Sequence, residues 1–140
     1  MRIIGMDYGS KTLGISLSDE TLLIANPIET IRYNTKEELF EKINKYFTDY
    51  EISKIVLGNP LNLDGSVSTR CEETMIFKKE LEDKYNIEVI LEDERLTSVI
   101  ANNMLIMNNE RRNNRKKVVD KLAASIILQS YLDRFNSKKE

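Results

Sequence analysis

Apolar positions recur along this chain with two periods, and the switches between them divide it into elements. Ile3, Ile4 and Met6 form a short dense run, and Leu13, Ile15 and Leu17 alternate with Gly14, Ser16 and Ser18. The second pattern has the period of two expected of a strand, and the glycine-punctuated stretch between the runs predicts a hairpin. Asp19-Glu20 reads as a turn and Thr21 to Ala25 as a third strand. Asn26-Pro27 interrupts that strand and assigns it to a sheet edge, because proline has no donor for a ladder. Ile28 to Tyr33 continues extended. Thr35 with Glu38 has the spacing of a capping box, and Leu39, Phe40, Ile43, Phe47 and Tyr50 follow at helical spacing. Ile55 to Leu57 is a continuous apolar run, the mark of a buried parallel strand. Leu61 to Ser66 then reads as a loop around Asp64-Gly65. A second helix is predicted from Ser68-Thr69, with Thr74, Phe77, Leu81 and Tyr85 inward and Asn86 closing it in a left-handed conformation. Glu88 to Leu91 is the last strand. A short helix is predicted over 98–107, and a final, largely apolar helix over 118–135, packed deeply against the sheet.

Three hairpin-linked strands followed by alternating helices and strands give an α/β fold, a mixed sheet with helices on both faces. The 140 residues suit a single domain, residues 1–140, with one sizeable core.

Composition narrows the chemistry more than the fold. The chain has no histidine, which removes histidine general bases and histidine-ligated zinc. Cys71 is its single cysteine, so no intramolecular disulfide forms, as suits a reducing cytoplasm. The N-terminus lacks the pattern of a secretory signal, and no apolar run approaches the roughly eighteen residues of a membrane span. The expected setting is cytoplasmic, with no membrane partner. The formal net charge of −2 announces no polyanion ligand, but residues 108–117 hold five cations against one anion. Arg111, Arg112, Arg115, Lys116 and Lys117 form that cluster, a candidate phosphate contact without interleaved aromatics.

Carboxylates gather where an open α/β sheet forms its sites, at the carboxyl ends of strands. Asp7 ends the first strand, Asp93 and Glu94 follow the last, and Asp120 opens the final helix among Val119, Ala123 and Ala124. Asp120 there also suits the positive end of a helix dipole. Three converging carboxylates without histidine favour a hard cation, Mg²⁺ or Mn²⁺, and such ions support in-line displacement at phosphorus.

Four stretches carry a family resemblance. They are Gly5-Met-Asp7-Tyr-Gly9-Ser-Lys-Thr-Leu-Gly14, Gly58-Asn-Pro60-Leu-Asn62-Leu-Asp64-Gly65, Asp93-Glu94-Arg95-Leu96-Thr97, and Asp120 with Ala123-Ala124 and Ile127 to Asp133. The chain resembles the YqgF/RuvX family of Holliday-junction-resolvase-like nucleases in the ribonuclease H superfamily. The resemblance implies a five-stranded sheet in the order 3-2-1-4-5 with strand 2 antiparallel. It assigns Asp7, Glu94 and Asp120 as catalytic metal ligands, with Glu94 preferred to Asp93. It also matches Arg70 and Arg95 to family arginines, and Lys11 lies in the first motif, so that all three are candidate nucleic-acid contacts.

The resemblance implies a metal-dependent nuclease that processes the 5′ end of pre-16S ribosomal RNA. Nothing in residue spacing selects RNA over a four-way DNA junction, so junction resolution is the second reading. A homodimer is compatible with either. A non-catalytic nucleic-acid-binding module is the rival from another class, although a pure binder gains nothing from three acids that repel phosphate. An ATPase resembling actin and sugar kinases in its first phosphate loop would require a second such domain.

Overall fold

The structure, a computed structural model, describes residues 1–60, 69–93 and 112–137, with backbone alone at residues 69 and 112–120. Its strands are β1 (Arg2–Tyr8), β2 (Thr12–Ser18), β3 (Ala25–Arg32), β4 (Ile52–Asn59) and β5 (Glu88–Asp93). Its helices are α1 (Lys36–Asp49), α2 (Thr69–Tyr85) and α3 (Arg112–Ser137). The sheet order is β3-β2-β1-β4-β5. β2 runs antiparallel to both neighbours, and β1, β4 and β5 are mutually parallel. This is the ribonuclease H-like sheet that the resemblance implies.

Alternation along β1 sorts the side chains between two layers. Ile4, Met6 and Tyr8 face α1 and α2, where they join Leu13, Ile15, Leu17, Leu39, Ile43, Phe77 and Leu81 in the larger core. Ile3 and Val56 face α3 and pack on Ile127, Leu128, Tyr131 and Leu132. The partners of Leu17 and Ile15 across the hairpin are Ile4 and Met6, so Ser16 and Ser18 must lie on the α3 side. Both serines are fully buried. The period-two alternation of β2 therefore separates large from small residues, and small residues let a helix come close.

The contact is intimate. The Ser16 hydroxyl donates to the Ala124 carbonyl at 2.8 Å, and the Ser18 hydroxyl accepts from the Ile3 amide at 2.8 Å. A Cβ on Gly5 would lie 2.7 Å from the Leu128 Cβ and 3.0 Å from the Ala124 carbonyl. Gly5 is thus the seat of α3.

Several boundaries differ from those the sequence predicts. Residues 21–24 form a turn rather than strand, with Leu22 at φ 62°. Asp19 organises that turn by accepting from the Leu23 and Ile24 amides at 2.9 Å each. Chiefly the Ile24 N–H, and then the Thr21 hydroxyl, hold its carboxyl down at about 2. β3 runs through Pro27 as the edge strand, and a register shift between Ile15 and Ser16 absorbs it. In α1 the Thr35 hydroxyl caps the Glu38 amide at 3.2 Å, while the Glu38 carboxylate turns to the Asn34 amide. Tyr46 rather than Tyr50 completes its buried face. Asn86 closes α2 at φ 54°, its N–H on the Glu82 carbonyl at 2.9 Å. The largest difference is α3, which begins at Arg112 instead of Val118. The predicted loop 61–66 and helix 98–107 lie outside the described residues. Among those described, no helix is long and apolar enough to cross a membrane.

Candidate active site at the strand ends

Because β1, β4 and β5 are parallel, Asp7, Asn59 and Asp93 end up along one rim of the sheet. Asp7 is half-buried. It follows Ile3 and Gly5 on the face that α3 covers, so it belongs to the α3 side of the rim. α3 runs antiparallel to β1. Its Ala124 and Leu128 sit over Gly5, and its Tyr131 hydroxyl accepts from Lys54, beside Ile3, at 3.3 Å. One turn before Ala124, the helix backbone therefore carries position 120 toward the end of β1 that holds Asp7.

Asp120 does not open its helix. With α3 starting at Arg112 it stands in the third turn. The dipole effect fades within the first turn, so a favourable helix terminus does not account for an acid there. Its side chain lies outside the described residues, as does the whole of Glu94, the residue that follows the last position of β5. Asp93 is exposed, and alternation with Val89 and Leu91 sets it on the α2 side of the sheet.

Sequence reasoning missed Glu92. This carboxylate is only 4% exposed, because it follows Ile90 on the α3 face. Both Arg134 guanidinium nitrogens donate to it, one at 2.8 Å, and the Ser130 hydroxyl donates at 3.2 Å. The bidentate pair ties the end of β5 to α3 immediately before Glu94. Alternation from Ile90, with Ser130 and Arg134 one turn apart on a helix, was the available signal.

The candidate cations divide. Arg70, in the first turn of α2, donates to the Tyr8 carbonyl at 2.5 Å, which sets its guanidinium beside the residue after Asp7. Lys11 is exposed at the β1–β2 turn. That turn closes through the Gly9 amide on the Thr12 carbonyl at 2.8 Å. A Cβ on Gly9 would meet the Thr12 Oγ1 at 2.9 Å. A side chain at Gly9 would therefore crowd Thr12 within the turn, which gives the glycine a local structural reason. Arg95 and Arg111 lie outside the described residues. Arg112, Arg115, Lys116 and Lys117 occupy the first turns of α3, not a loop. Helical spacing stacks positions 112, 116 and 120 on one face.

Among the described residues no three acids or cysteines gather closely enough to hold a metal ion. The donor chemistry nevertheless suits a hard cation. The soft ligand Cys71 is buried with its thiol toward the Asn59 and Pro60 oxygens at 3.5 and 3.6 Å, which leaves oxygen donors at the rim.

Comparison with known proteins bears on the family and the fold. Residues 1–134 match the family model described as "RuvX: Holliday junction resolvase". A relative from Bacillus subtilis (strain 168), named "Putative pre-16S rRNA nuclease", is 49% identical over 138 residues, covering 97% of this chain and all of the relative. One from Clostridium beijerinckii with the same name is 41% identical over 138 residues, covering 99% of this chain and all of the relative. In fold, the chain is similar to the Fowlpox virus resolvase solved with Holliday junction DNA, at TM-score 0.61 and 15% identity over 96% of this chain and 99% of that one. Thermus thermophilus RuvC with a junction substrate gives TM-score 0.57 at 10% identity, over 98% and 97%.

Proposed function

The chain belongs to the RuvX family, and on that footing we propose that it is a cytoplasmic nuclease domain, residues 1–140, hydrolysing phosphodiester bonds in structured nucleic acid. Its proposed task is to process the 5′ end of pre-16S ribosomal RNA. The names of relatives that match over their full lengths support this substrate. The observation that carries the catalytic reading is the seating of α3 on Gly5, which brings position 120 toward Asp7 at the end of β1.

In this reading Asp7, Glu94 and Asp120 hold Mg²⁺ or Mn²⁺. When bound, such an ion lowers the pKa of a water and stabilises charge on the leaving oxygen. The chain's own residues do the rest. Asp7 is fixed by a central strand, and Asp120 by a helix that cannot slide without colliding with β1. The Glu92–Arg134 pair holds the strand end from which Glu94 emerges. Arg70, anchored on the Tyr8 carbonyl, turns its remaining N–H groups toward a phosphate at the rim. Lys11, Arg95, Arg111, Arg112, Arg115, Lys116 and Lys117 neutralise phosphates on either side of the cut.

Resolution of a DNA junction is the second reading, favoured by the fold shared with two junction resolvases. The deciding experiment incubates the protein with a pre-16S 5′ fragment and with a synthetic four-way junction, each with Mg²⁺, Mn²⁺ or chelator. Cleavage of the RNA at a defined position, abolished by chelator, is expected. Cutting of the junction alone would transfer the assignment to DNA, and cutting of neither would end the nuclease reading.

A further inference from the structure

A second feature opens on the other face of the same rim. Between the end of β1, the start of α1 and the first turns of α2 lies a cleft of about 380 Å³. We propose that this cleft is a base-binding subsite that takes up the nucleobase next to the scissile phosphate and prefers guanine. The inference rests on the nuclease reading and adds to it a determinant of sequence preference.

Position comes first. Asp7 and Tyr8 are consecutive in β1, so the acid faces α3 while the next side chain lines the cleft. A strand whose phosphate lies at Asp7 has the cleft within one residue's reach. On α2 the residues Arg70, Glu73 and Ile76 recur at intervals of three and form one stripe. The stripe starts at the guanidinium held on the Tyr8 carbonyl and passes into the cleft, which Glu73 and Ile76 line. A phosphate contact is thereby followed by a base contact.

The lining fits a base better than a phosphate. Ile76 is 57% exposed, a large apolar side chain facing open space. Tyr33 also lines the cleft and is fixed, its hydroxyl donating to the Gly9 carbonyl at 2.6 Å. Tyr8 stacks on Phe77 with ring centroids 4.2 Å apart. These walls are formed before any ligand arrives, which lowers the ordering cost of binding. The charges point the same way. Lys36 is engaged by Glu80 at 2.5 Å, and Glu73 contributes an anion that repels phosphate. The remaining lining, Ser10 and Asn34, is polar and uncharged, and a carboxylate set among aromatic, apolar and neutral polar walls selects a base edge rich in N–H donors. Guanine offers two adjacent ones, N1–H and N2–H, matching both oxygens of Glu73. RNA is commonly read in this way, through unstacked bases held on their Watson–Crick edges.

The test uses the full chain and short RNAs that span the cut and differ only at the adjacent nucleotide: guanosine, inosine, uridine or an abasic residue. Single-turnover cleavage is measured for wild type, Glu73→Gln and Ile76→Ser. A two-point contact predicts that guanosine exceeds the abasic substrate by about tenfold or more, with inosine between. Glu73→Gln should erase the guanosine-over-inosine preference and leave the abasic rate unchanged. Ile76→Ser should lower the guanosine and inosine rates alike. Equal rates on all four RNAs, or an unaltered preference in Glu73→Gln, would overturn the subsite while leaving the nuclease intact. Fluorescence anisotropy on the same RNAs in chelator reads the preference as a ratio of Kd values. That ratio tests the cleft even where no RNA is cut, the outcome that would sink the nuclease reading instead.

Discussion

Replacing Gly5 with alanine adds one methyl group at the point where α3 meets the sheet. It would press on the Ser16 Oγ and stand 2.7 Å from the Leu128 Cβ and 3.0 Å from the Ala124 carbonyl. The serine can rotate, but the other two atoms belong to the helix frame. Carbon atoms rest about 3.5 to 4.0 Å apart, so α3 must retreat by about 1 Å. Overpacking of this kind costs about 1–3 kcal/mol. The retreat also strains the buried Ser16 to Ala124 hydrogen bond, and an unsatisfied buried partner costs about 1–3 kcal/mol more. The better strand propensity of alanine returns roughly 0.5–1 kcal/mol. A net loss of about 3 kcal/mol follows, which for a chain of this size lowers Tm by roughly 10 °C. Urea and thermal unfolding followed by circular dichroism measure it directly. Activity reports the same displacement. Position 120 lies one turn upstream of Ala124, and a catalytic group misplaced by about 1 Å costs on the order of a hundredfold in rate. Cleavage measured where Gly5→Ala remains folded should fall by that order. A loss below about 1 kcal/mol with full activity would refute the claim that Gly5 seats the helix.

Other consequences are as specific. Arg134→Met leaves the buried Glu92 carboxylate with the Ser130 hydroxyl as its hydrogen-bond donor among the described residues. Since Arg134 itself is 57% exposed in its side chain, solvent screening holds the expected loss to about 1–2 kcal/mol. Adding Glu92→Met should restore most of it in a double-mutant cycle, and a neutral single substitution would show the pair to be idle. Alkaline pH should unfold the protein through three phenols. Burial raises the pKa of Tyr33, Tyr46 and Tyr85, the last to about 12, whereas unfolded tyrosine titrates near 10. Stability from these groups is complete below about pH 10 and declines as pH rises above it, the share from Tyr85 being lost as pH passes through about 12. Absorbance at the phenolate band should show late ionisation coinciding with loss of helix, and phenols all titrating near pH 10 in a folded chain would contradict it.

Much of the architecture was legible because periodicity reports faces. The alternation in β2, the apolar run of β4 and the inward stripe of α2 each led to the right element. Thr35 and Asn86 marked helix ends through local chemistry that tertiary structure did not override. The Asn26-Pro27 pair signalled an edge, yet β3 keeps Pro27 through a register shift that no local rule reveals. The start of α3 was hidden because Arg112 to Lys117 carries no apolar stripe, and a polar stretch can still extend a helix whose later turns are anchored. Ser16 and Ser18 were legible only as the small residues that alternate with the apolar ones in β2. The burial of Ser16 follows from α3, whose Ala124 contacts it from more than a hundred residues away. Glu92 was obscured in the same way, since a charge is expected outside until its partner on a distant helix is known. Asp7 stood out as a site candidate only once the strand-turn pattern was joined to the other rim acids and the absence of histidine. Asp120 and Glu94 drew their assignment from the family motifs.

The most direct test of the metal-carboxylate site is the rate of RNA cleavage by Asp7→Asn, set against its affinity for the same RNA. The substitution keeps the side chain's shape and removes one anion from the rim. With Mg²⁺ or Mn²⁺ present, the expected rate is lower by about a hundredfold or more, with binding in chelator as tight as wild type or tighter. Wild-type cleavage by Asp7→Asn, or cleavage indifferent to chelator, would contradict a metal-carboxylate site at the strand ends.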